Sequence, residues 1–334
     1  MGDAGDPKDS SIETISIVVP VYQGVNSLRG LFDEIEAIRT THPNGKKSFV
    51  IDEVVLVDDG SQDGSSGLIL ELAQRHDWIT PVWLSRNYGQ HAATLAGMSS
   101  SRGDWVVTMD EDGQHSPSDI EKLFATAKRT NSDLVYADLD AIRSHATWRN
   151  RFSSVAKSIA TKLLLPGEIK RFSSFRLING EVARNVSAYA GHGVYLDVAL
   201  SWVVENVESC KLPNRFETRP NSGYSLKKLI SHFWRLVLSS GTRPLRIVTF
   251  FGIGASLIAT IGGVIVLYGR VFKSVPVAGW TSMIVIVLFF SGLILLSLGI
   301  LAEYLGTVVR TVIGKPLYTI RSKPRDGSLG KPNR

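Results

Sequence analysis

Two acidic clusters are the residues of this sequence best suited to chemistry. Asp110-Glu111-Asp112 follows one apolar run directly, and Asp58-Asp59 follows another. Carboxylates at positions i and i+2 can direct two oxygens at one cation, and Mg²⁺ and Mn²⁺ prefer such hard oxygen ligands. A nucleotide diphosphate could complete the coordination shell, and the metal would neutralise the charge that builds up as the diphosphate leaves. The first cluster therefore predicts a site for Mg²⁺ or Mn²⁺.

Each cluster also has a less specific interpretation. A D-x-D pattern arises often by chance, and Asp138-Leu139-Asp140 repeats it in this chain, where we interpret it as unrelated to metal binding. The run Asp58-Asp59-Gly60-Ser61 could bind a nucleoside through carboxylate hydrogen bonds. It could equally form a turn in which Asp caps the next helix and Gly supplies a positive φ. The two interpretations of this run are compatible.

The elements around the clusters alternate between strand and helix patterns. Short runs of β-branched and apolar residues predict buried strands, and apolar residues at helical spacing predict helices. The predicted strands cover residues 15–20, 53–57, 80–84, 105–109 and 133–137, and the predicted helices cover 27–39, 65–76, 90–100 and 118–130. This order predicts an α/β fold with a mostly parallel sheet and helices on both faces. Ligands of such sheets bind beyond the carboxyl ends of the strands, where both acidic clusters fall.

The C-terminal third of the chain has a membrane pattern. Residues 247–269 and 274–302 contain no charged residue, and each stretch exceeds the ~20 residues that cross ~30 Å of hydrocarbon. A pair of buried core helices is the alternative, which the lack of charge disfavours. The predicted organisation is a disordered tail at 1–13, a catalytic domain at 14–225, a juxtamembrane amphipathic helix at 226–244, transmembrane helices at 245–270 and 280–303 joined by an extracytoplasmic loop at 271–279, and a cytoplasmic tail at 304–334.

The distribution of charge predicts the orientation and the partners. Lys and Arg flank the two apolar stretches, whereas the loop between the stretches has only Arg270 and Lys273, so both ends are predicted to be cytoplasmic. The formal net charge of +6 gathers near these stretches, which favours an anionic membrane surface over nucleic acid. A single cysteine, Cys210, suits a reducing compartment, and the polar first residues predict no cleaved signal peptide. Gly252, Gly254 and Gly262-Gly263 would permit close helix packing in a dimer or tetramer.

Four motifs in order resemble the family-2 inverting glycosyltransferases. They are Ile17-Val-Val-Pro-Val-Tyr, Val57-Asp-Asp-Gly-Ser-Gln-Asp-Gly, Arg86-Asn-Tyr-Gly-Gln-His, and Met109-Asp-Glu-Asp-Gly-Gln with Pro117. The closer resemblance is to the polyprenyl-phosphate branch, which includes dolichol-phosphate mannose synthase, bactoprenol glucosyltransferase and undecaprenyl-phosphate formamido-arabinose transferase. It extends from about residue 14 to about residue 318.

The resemblance implies a GT-A-type fold and a role for each matching residue. It implies a metal site of Asp110, Asp112 and Gln114, and an acceptor-phosphate site of Arg149, Ser153 and Arg176, with both aspartates and both arginines as catalytic residues. The nucleotide-sugar would contact Pro20, Tyr22, Asp58, Asp59, Arg86, Asn87, Gly89 and His91. The implied reaction is inverting transfer of one sugar from a nucleotide-sugar, UDP favoured over GDP, to a polyprenyl phosphate such as undecaprenyl phosphate, for cell-envelope glycan modification.

The sequence departs from the family pattern at two places, and two other functions are considered. Glu111 and Gly113 replace the usual residues beside the metal, and the basic segment near Asn221-Ser222-Gly223 lacks a lysine that Arg219 or Lys227 would have to replace. A processive polysaccharide synthase would carry a Q-x-x-R-W motif and more spans, neither of which occurs here. A non-catalytic membrane scaffold would not need the intact acidic pair. Were the acceptor a hydroxyl, Asp197 would be the candidate general base.

Overall fold

The computed structural model describes residues 12–40, 49–139, 172–191, 195–213, 215, 279–314 and 316–324, with scattered positions between 252 and 272. The predicted acceptor-site residues Arg149 and Ser153, the candidate lysine replacements Arg219 and Lys227, and the predicted helix at 226–244 lie outside the described residues. The same is true of Asp140, Gly263, Arg270 and Lys273. Most of the predicted tail at 1–13 and of the predicted loop at 271–279 also lies outside the described residues.

A single mostly parallel sheet organises the described residues. Its strands are β1 (Glu13–Val21), β2 (Phe49–Asp58), β3 (Ile79–Leu84), β4 (Trp105–Thr108), β5 (Leu134–Leu139), β6 (Arg176–Asn179), β7 (Val207–Leu212) and β8 (Ile320–Arg321). Their order across the sheet is β7-β5-β6-β4-β1-β2-β3-β8. The pairs β1–β2, β1–β4, β2–β3 and β5–β7 are parallel, whereas β6 runs antiparallel to β4 and β5, and β8 runs antiparallel to β3.

Helices cover both faces of this sheet. They are α1 (Val25–Thr40), α2 (Ser65–Arg75), α3 (Gln90–Ser100), α4 (Ile120–Thr130) with a short 3₁₀ turn at Pro117–Asp119, α5 (Gly180–Tyr189) and α6 (Leu196–Val203). Apolar residues of α1, α2 and α4 pack into one core with Ile17 and Val19, and those of α3, α5 and α6 pack into a second core with Val18. Successive strand residues point to opposite faces, so these neighbouring residues of β1 serve different cores. The predicted α/β fold with helices on both faces is confirmed.

The membrane-like helix is long and leaves its apolar side chains uncovered. Helix α7 (Trp280–Val312) has 33 residues, which corresponds to about 50 Å. Its Phe289–Gly306 stretch has a mean hydropathy of 1.8, and none of it is buried. The described positions between 252 and 272 are helical, and Ile253, Leu257 and Val264 among them are exposed. Among the described residues, α7 is the one helix with the length and composition to cross a membrane, so the two-helix hairpin stays a prediction.

The segment after α7 contains more structure than the predicted tail. Helix α7 continues past residue 304 to Val312, and the Ile313 N–H donates to the Val309 carbonyl at 2.9 Å. Gly314 has a φ of +68°, a left-handed conformation that commonly ends helices because glycine has no Cβ. The chain then returns to the sheet and forms β8 beside β3. Two residues of strand are too few to produce a recognisable alternation in the sequence.

A buried ion pair joins the antiparallel strand β6 to helix α6. The Arg176 guanidinium bonds the carboxylate of Asp197, and both side chains are almost fully buried. The Tyr136 hydroxyl donates to the same carboxylate at 2.9 Å, and Arg176 Nε donates to the Thr108 hydroxyl at 3.1 Å. Desolvation raises the pKa of Asp197, while Arg176 and the Tyr136 hydroxyl stabilise its ionised form and oppose the rise. These contacts connect β4, β5, β6 and α6 behind the edge of the sheet where β4 ends.

We expect Asp197→Ala to lower the free energy of unfolding by about 3–5 kcal/mol, because it leaves the Arg176 charge buried without its partner. The double variant Arg176→Met, Asp197→Leu should recover most of that loss, since no unpaired charge remains. Thermal unfolding of the purified full-length chain in detergent measures both changes. An Asp197→Ala protein as stable as the unchanged chain would contradict a structural role for the pair.

Candidate active site

The carboxyl ends of β1, β2 and β4 bring the two acidic clusters to one edge of the sheet. Val21 lies opposite Asp58 in the β1–β2 register, and the Asp59 N–H donates to the Val21 carbonyl at 2.9 Å. Beyond β4, the Met109 N–H donates to the Val18 carbonyl at 3.1 Å, and Asp110 follows. This is the edge at which parallel α/β sheets bind ligands, as the sequence predicted.

Asp58 stabilises the turn that follows β2. Its two carboxylate oxygens accept hydrogen bonds from the Ser61 N–H at 3.0 Å and from the Ser66 hydroxyl. Because Ser66 lies in the first turn of α2, these bonds fix the turn onto the start of that helix. Asp58 therefore stabilises the turn, and Gly60 supplies the predicted positive φ, but Asp58 does not cap α2, whose N-cap is Gly64 with no side-chain capping bond. The contact of Asp58 with a nucleoside stays a prediction.

Asp59 holds the loop that follows β3. Its carboxylate accepts hydrogen bonds from the backbone N–H of Tyr88 at 2.7 Å and of Gly89 at 2.8 Å. Burial raises the pKa of Asp59 to about 6, against the lowering effect of those two bonds. Gly60 lets the loop approach, because it has a φ of +74° and a Cβ there would lie 2.8 Å from the Asn87 nitrogen. Asp59 thus positions the predicted donor motif at residues 86–91.

Asp110 receives hydrogen bonds from two other elements. The Ser174 hydroxyl donates to one carboxylate oxygen at 2.7 Å, and the Gln90 side-chain amide at the start of α3 donates to the other. Burial raises the pKa of Asp110 and Asp112 adds to the rise, while Ser174, His115 and Arg176 oppose it. A cation bound beside Asp110 would stabilise its ionised form against this desolvation.

The donor set fits a hard divalent cation. Asp112 lies two residues beyond Asp110, and its Oδ1 accepts a hydrogen bond from the Gln114 N–H at 3.1 Å, which closes a tight turn around Gly113. Two carboxylates and an amide oxygen are the oxygen ligands that Mg²⁺ and Mn²⁺ prefer. Within the described ranges, no group of three or more His, Cys, Asp or Glu side chains could hold a metal. Gln114, the diphosphate or water would therefore complete the shell of a bound metal.

Glu111, the residue that departs from the family pattern, lies against the loop after β1. Its carboxylate is 3.5 Å from the Tyr22 N–H, and a Cβ at Gly24 would lie 2.8 Å from Glu111 Cγ. Burial, together with the smaller effects of the neighbouring Asp110 and Asp112, raises the pKa of Glu111 to about 7. Glu111 thus packs its aliphatic stem on Gly24 and adds a further acidic group to the edge that carries the four aspartates.

His115 is a site residue that sequence reasoning missed. It is buried and stacks on the Phe175 ring with centroids 5.0 Å apart. Its Nδ1 has no hydrogen-bond partner among the residues that the structure describes. Burial lowers the pKa of His115, whereas the charges of Asp110 and Asp112 raise it. Its position one residue after Gln114 could have indicated that it lies in the site. A lone histidine with no metal-ligand spacing, however, is not distinctive in a sequence.

The remaining predicted site residues occupy different environments. Pro20 is buried inside β1, Tyr22 is 45% exposed, and Arg86 is exposed with its guanidinium over the Tyr88 ring at 4.8 Å. Asn87 is also exposed, and the His91 ring meets the Tyr195 ring edge at 4.3 Å. Arg176 is engaged by Asp197, so an acceptor phosphate would have to compete with that carboxylate for it. The predicted roles of these residues in binding stay predictions.

The chain belongs to glycosyl transferase family 2, whose family model matches residues 16–191, and it is a glycosyltransferase. It is 30% identical to the undecaprenyl-phosphate 4-deoxy-4-formamido-L-arabinose transferase of Pseudomonas paraeruginosa (strain DSM 24068 / PA7), over 98% of this chain and 95% of that one. It is 25% identical to the bactoprenol glucosyl transferase of Shigella phage SfX, over 92% of this chain and 99% of that one.

Solved structures of lower sequence identity also resemble the chain. The mannosyl-3-phosphoglycerate synthase of Rubrobacter xylanophilus is 17% identical, with a TM-score of 0.48 over 69% of this chain and 74% of that one. The glucosyl-3-phosphoglycerate synthase of Mycobacterium tuberculosis, in complex with Mn²⁺, UDP-glucose and phosphoglyceric acid, is 15% identical, with a TM-score of 0.46 over 69% of this chain and 79% of that one.

We expect Ser174→Ala to raise the Mn²⁺ concentration that gives half-maximal activity by about tenfold or more, because Asp110 loses the hydroxyl that orients its carboxylate. Ser174→Thr keeps a hydroxyl and should restore most of the metal affinity. A manganese titration of transferase activity for the three proteins measures the effect. Equal half-saturation values in all three would show that Ser174 does not position Asp110.

We expect kcat/KM for the donor to fall as the pH drops through about 6, the pKa of Asp59. The pKa is raised from 3.8, so the carboxylate that accepts the Tyr88 and Gly89 N–H groups is present above this pH and protonated below it. Asp59→Asn should have a lower kcat/KM above about pH 6 and lack this step, so the two proteins should converge below it. Glu111 titrates in both proteins, so the difference between their pH profiles isolates Asp59. Superimposable profile shapes would contradict the assignment.

Proposed function

We propose that this chain transfers one sugar from a nucleotide-sugar, with UDP favoured over GDP, to a polyprenyl phosphate such as undecaprenyl phosphate, with inversion at the anomeric carbon. The observation that carries the proposal is the meeting of Asp59, Asp110 and Asp112 at the carboxyl edge of the sheet in a chain with an uncovered apolar helix. The names of the two relatives add support, because one includes undecaprenyl phosphate as the acceptor and the other bactoprenol.

The reaction needs little acid–base chemistry from the protein. A phosphate oxygen of the lipid attacks the anomeric carbon, and the bond from that carbon to the nucleotide diphosphate breaks on the opposite face. The phosphate is already anionic near neutral pH, so no general base has to remove a proton. This agrees with the position of Asp197, the candidate base for a hydroxyl acceptor, which is buried and paired with Arg176.

Different residues of this chain would bind the metal, position the donor and contact the acceptor. Asp110, Asp112 and Gln114 would hold Mg²⁺ or Mn²⁺, which supplies positive charge against the departing diphosphate when it is bound. Asp59 keeps the 86–91 motif in place through the Tyr88 and Gly89 N–H groups. Arg149, Ser153 and Arg176 remain the proposed contacts of the acceptor phosphate, for which guanidinium groups are well suited.

The pairing of β8 with β3 supports the proposed topology. The sheet precedes both apolar stretches in the chain, and β8 follows them, yet β8 lies in the same sheet. If α7 crosses the membrane, the chain must cross an even number of times, and the uncharged stretch at 247–269 would supply the second crossing. The excess of Lys and Arg on this side favours the cytoplasm, where nucleotide-sugars are available to a membrane-embedded acceptor.

The proposal is tested with membranes that contain the full-length chain, polyprenyl phosphate and a panel of radiolabelled UDP- and GDP-sugars. We expect label from one UDP-sugar to move into a mild-acid-labile lipid, and EDTA to abolish the transfer. Asp112→Ala should lower kcat/KM by about a hundredfold or more, because it removes a proposed metal ligand. Asp138→Ala, from the second D-x-D pattern, serves as the matched control and should retain activity.

Other outcomes of this assay would overturn specific parts of the proposal. Label in a polymer instead of a lipid would favour a processive synthase. Activity that is insensitive to EDTA, or an Asp112→Ala protein with full activity, would contradict the proposed metal role. Retention of the anomeric configuration in the product would contradict a direct displacement by phosphate.

A further inference from the structure

The segment that follows α7 lies directly against the loop held by Asp59. Strand β8 pairs with β3 so that Ile320 lies opposite Leu84. One residue beyond β3, the Ser85 N–H donates to the Thr319 carbonyl at 2.9 Å. The pairing thus continues to the first residue of the loop at 85–89, which we call the donor loop.

Side chains extend this contact into the donor loop. The Tyr88 hydroxyl is 2.8 Å from the Ser85 hydroxyl and is also hydrogen-bonded with Thr319. Leu317 and Tyr318 pack against the same apolar core as Tyr88. Tyr88 is therefore held at two points. Its backbone N–H bonds Asp59, and its side chain contacts the segment at 317–321.

Tyr318 attaches the segment to a second element of the site. Its hydroxyl is 3.0 Å from the Ser99 hydroxyl near the end of α3. Helix α3 begins with Gln90, whose side-chain amide donates to Asp110. The segment at 317–321 therefore contacts the donor loop, which bonds Asp59, and helix α3, which bonds Asp110.

Little chain separates this segment from the apolar helix. Helix α7 ends at Val312, and Thr319 is seven residues further on. Pro316 restricts the path between them, because its ring fixes its φ. A change in the position of α7 would therefore be transmitted to β8 over a short and restricted connection.

We propose that residues 317–321 position the donor loop, with Tyr318 and Thr319 as positioning residues, so that donor affinity depends on the docking of the segment that follows α7. The proposal rests on the donor role proposed for residues 86–91. Neither Tyr318 nor Thr319 contacts the acidic residues directly in the described contacts. Their effect should therefore be on the KM for the donor, with little change in kcat.

A simpler role for β8 would be to cover the edge of the sheet at β3. Unpaired edge strands expose backbone groups to other chains, and a short covering strand prevents this. That role predicts lower overall stability when β8 is weakened, with no selective change in the donor loop. If β8 positions the donor loop, weakening it should increase hydrogen exchange at the backbone N–H groups of Tyr88 and Gly89 and leave the rest of the sheet unaffected. If β8 only covers the edge, exchange should increase throughout the sheet.

The test compares Tyr318→Ala with Lys323→Ala in the full-length chain in detergent. Lys323 is an exposed residue beyond the β3–β8 pairing, so its substitution is the matched control. Three quantities are measured: hydrogen exchange of residues 85–89 without nucleotide, and the KM and kcat for the UDP-sugar donor. For Tyr318→Ala we expect faster exchange in the donor loop and a KM raised about fivefold to tenfold, with kcat changed less than about twofold. Lys323→Ala should leave all three quantities unchanged.

Unchanged hydrogen exchange in the donor loop, or an unchanged KM, would overturn the proposal. An equal increase in hydrogen exchange throughout the sheet would also overturn it, and would indicate that β8 only covers the edge strand β3. If Tyr318→Ala does not fold, Tyr318→Phe carries the same test, because it keeps the ring and removes the bond to Ser99, with an expected KM change of about twofold. The exchange measurement needs no substrate, so it remains decisive even if the unchanged chain transfers no sugar from UDP, a result that would count against the proposed function alone.

Discussion

The concentration of negative charge at one edge of a parallel sheet is the constraint on which the rest of this structure depends. Asp58, Asp59, Asp110 and Glu111 lie at or just beyond the carboxyl ends of β2 and β4, the two strands that flank β1. Burial raises the pKa of Asp59, Asp110 and Glu111. Asp58, Asp59 and Asp110 receive hydrogen bonds from serine hydroxyls, backbone N–H groups or a glutamine amide, none of which carries a full positive charge. Such an arrangement suits a site that gains a cation together with its substrate.

The surrounding fold limits how these groups can move. Asp59 is fixed to the donor loop, Asp110 is fixed to Ser174, and the Ser174 carbonyl accepts a hydrogen bond from Thr108 at 2.7 Å. Thr108 in turn bonds the Arg176 guanidinium, which is paired with Asp197. A buried ion pair at the second core is thereby connected to a carboxylate at the edge through three hydrogen bonds. Arg176 is therefore connected to Asp110 within the protein, independently of any contact with phosphate.

The sequence predicted the first half of the fold well because its elements have clear local patterns. The strands predicted at 15–20 and 105–109 lie within a few residues of β1 and β4, and the helix predicted at 90–100 coincides with α3. Strand β6, by contrast, has four residues, and the antiparallel pairing that places it between β4 and β5 is a long-range contact with no local signal. For β8, two residues of strand follow an apolar helix, and the pattern there favours a tail.

The site could be predicted in part for the same reason. The acidic residues stand at strand ends that the alternation of strands and helices reveals, so their meeting at one edge follows from the topology. Ser174 and Gln90 are polar residues without a distinctive spacing, and their bonds to Asp110 depend on how β6 and α3 pack. The partner of Arg176 is 21 residues away along the chain, across a helix that had no clear pattern. Such pairings appear only when the chain is folded.

The central claim is that a divalent cation binds at Asp110 and Asp112 together with the nucleotide diphosphate. Anomalous diffraction from crystals of the full-length chain soaked with Mn²⁺ and UDP measures this directly. The account predicts one anomalous peak bound by both carboxylates and by the diphosphate. A nucleotide bound at this edge with no manganese beside it, or both carboxylates turned away from the metal, would contradict the account.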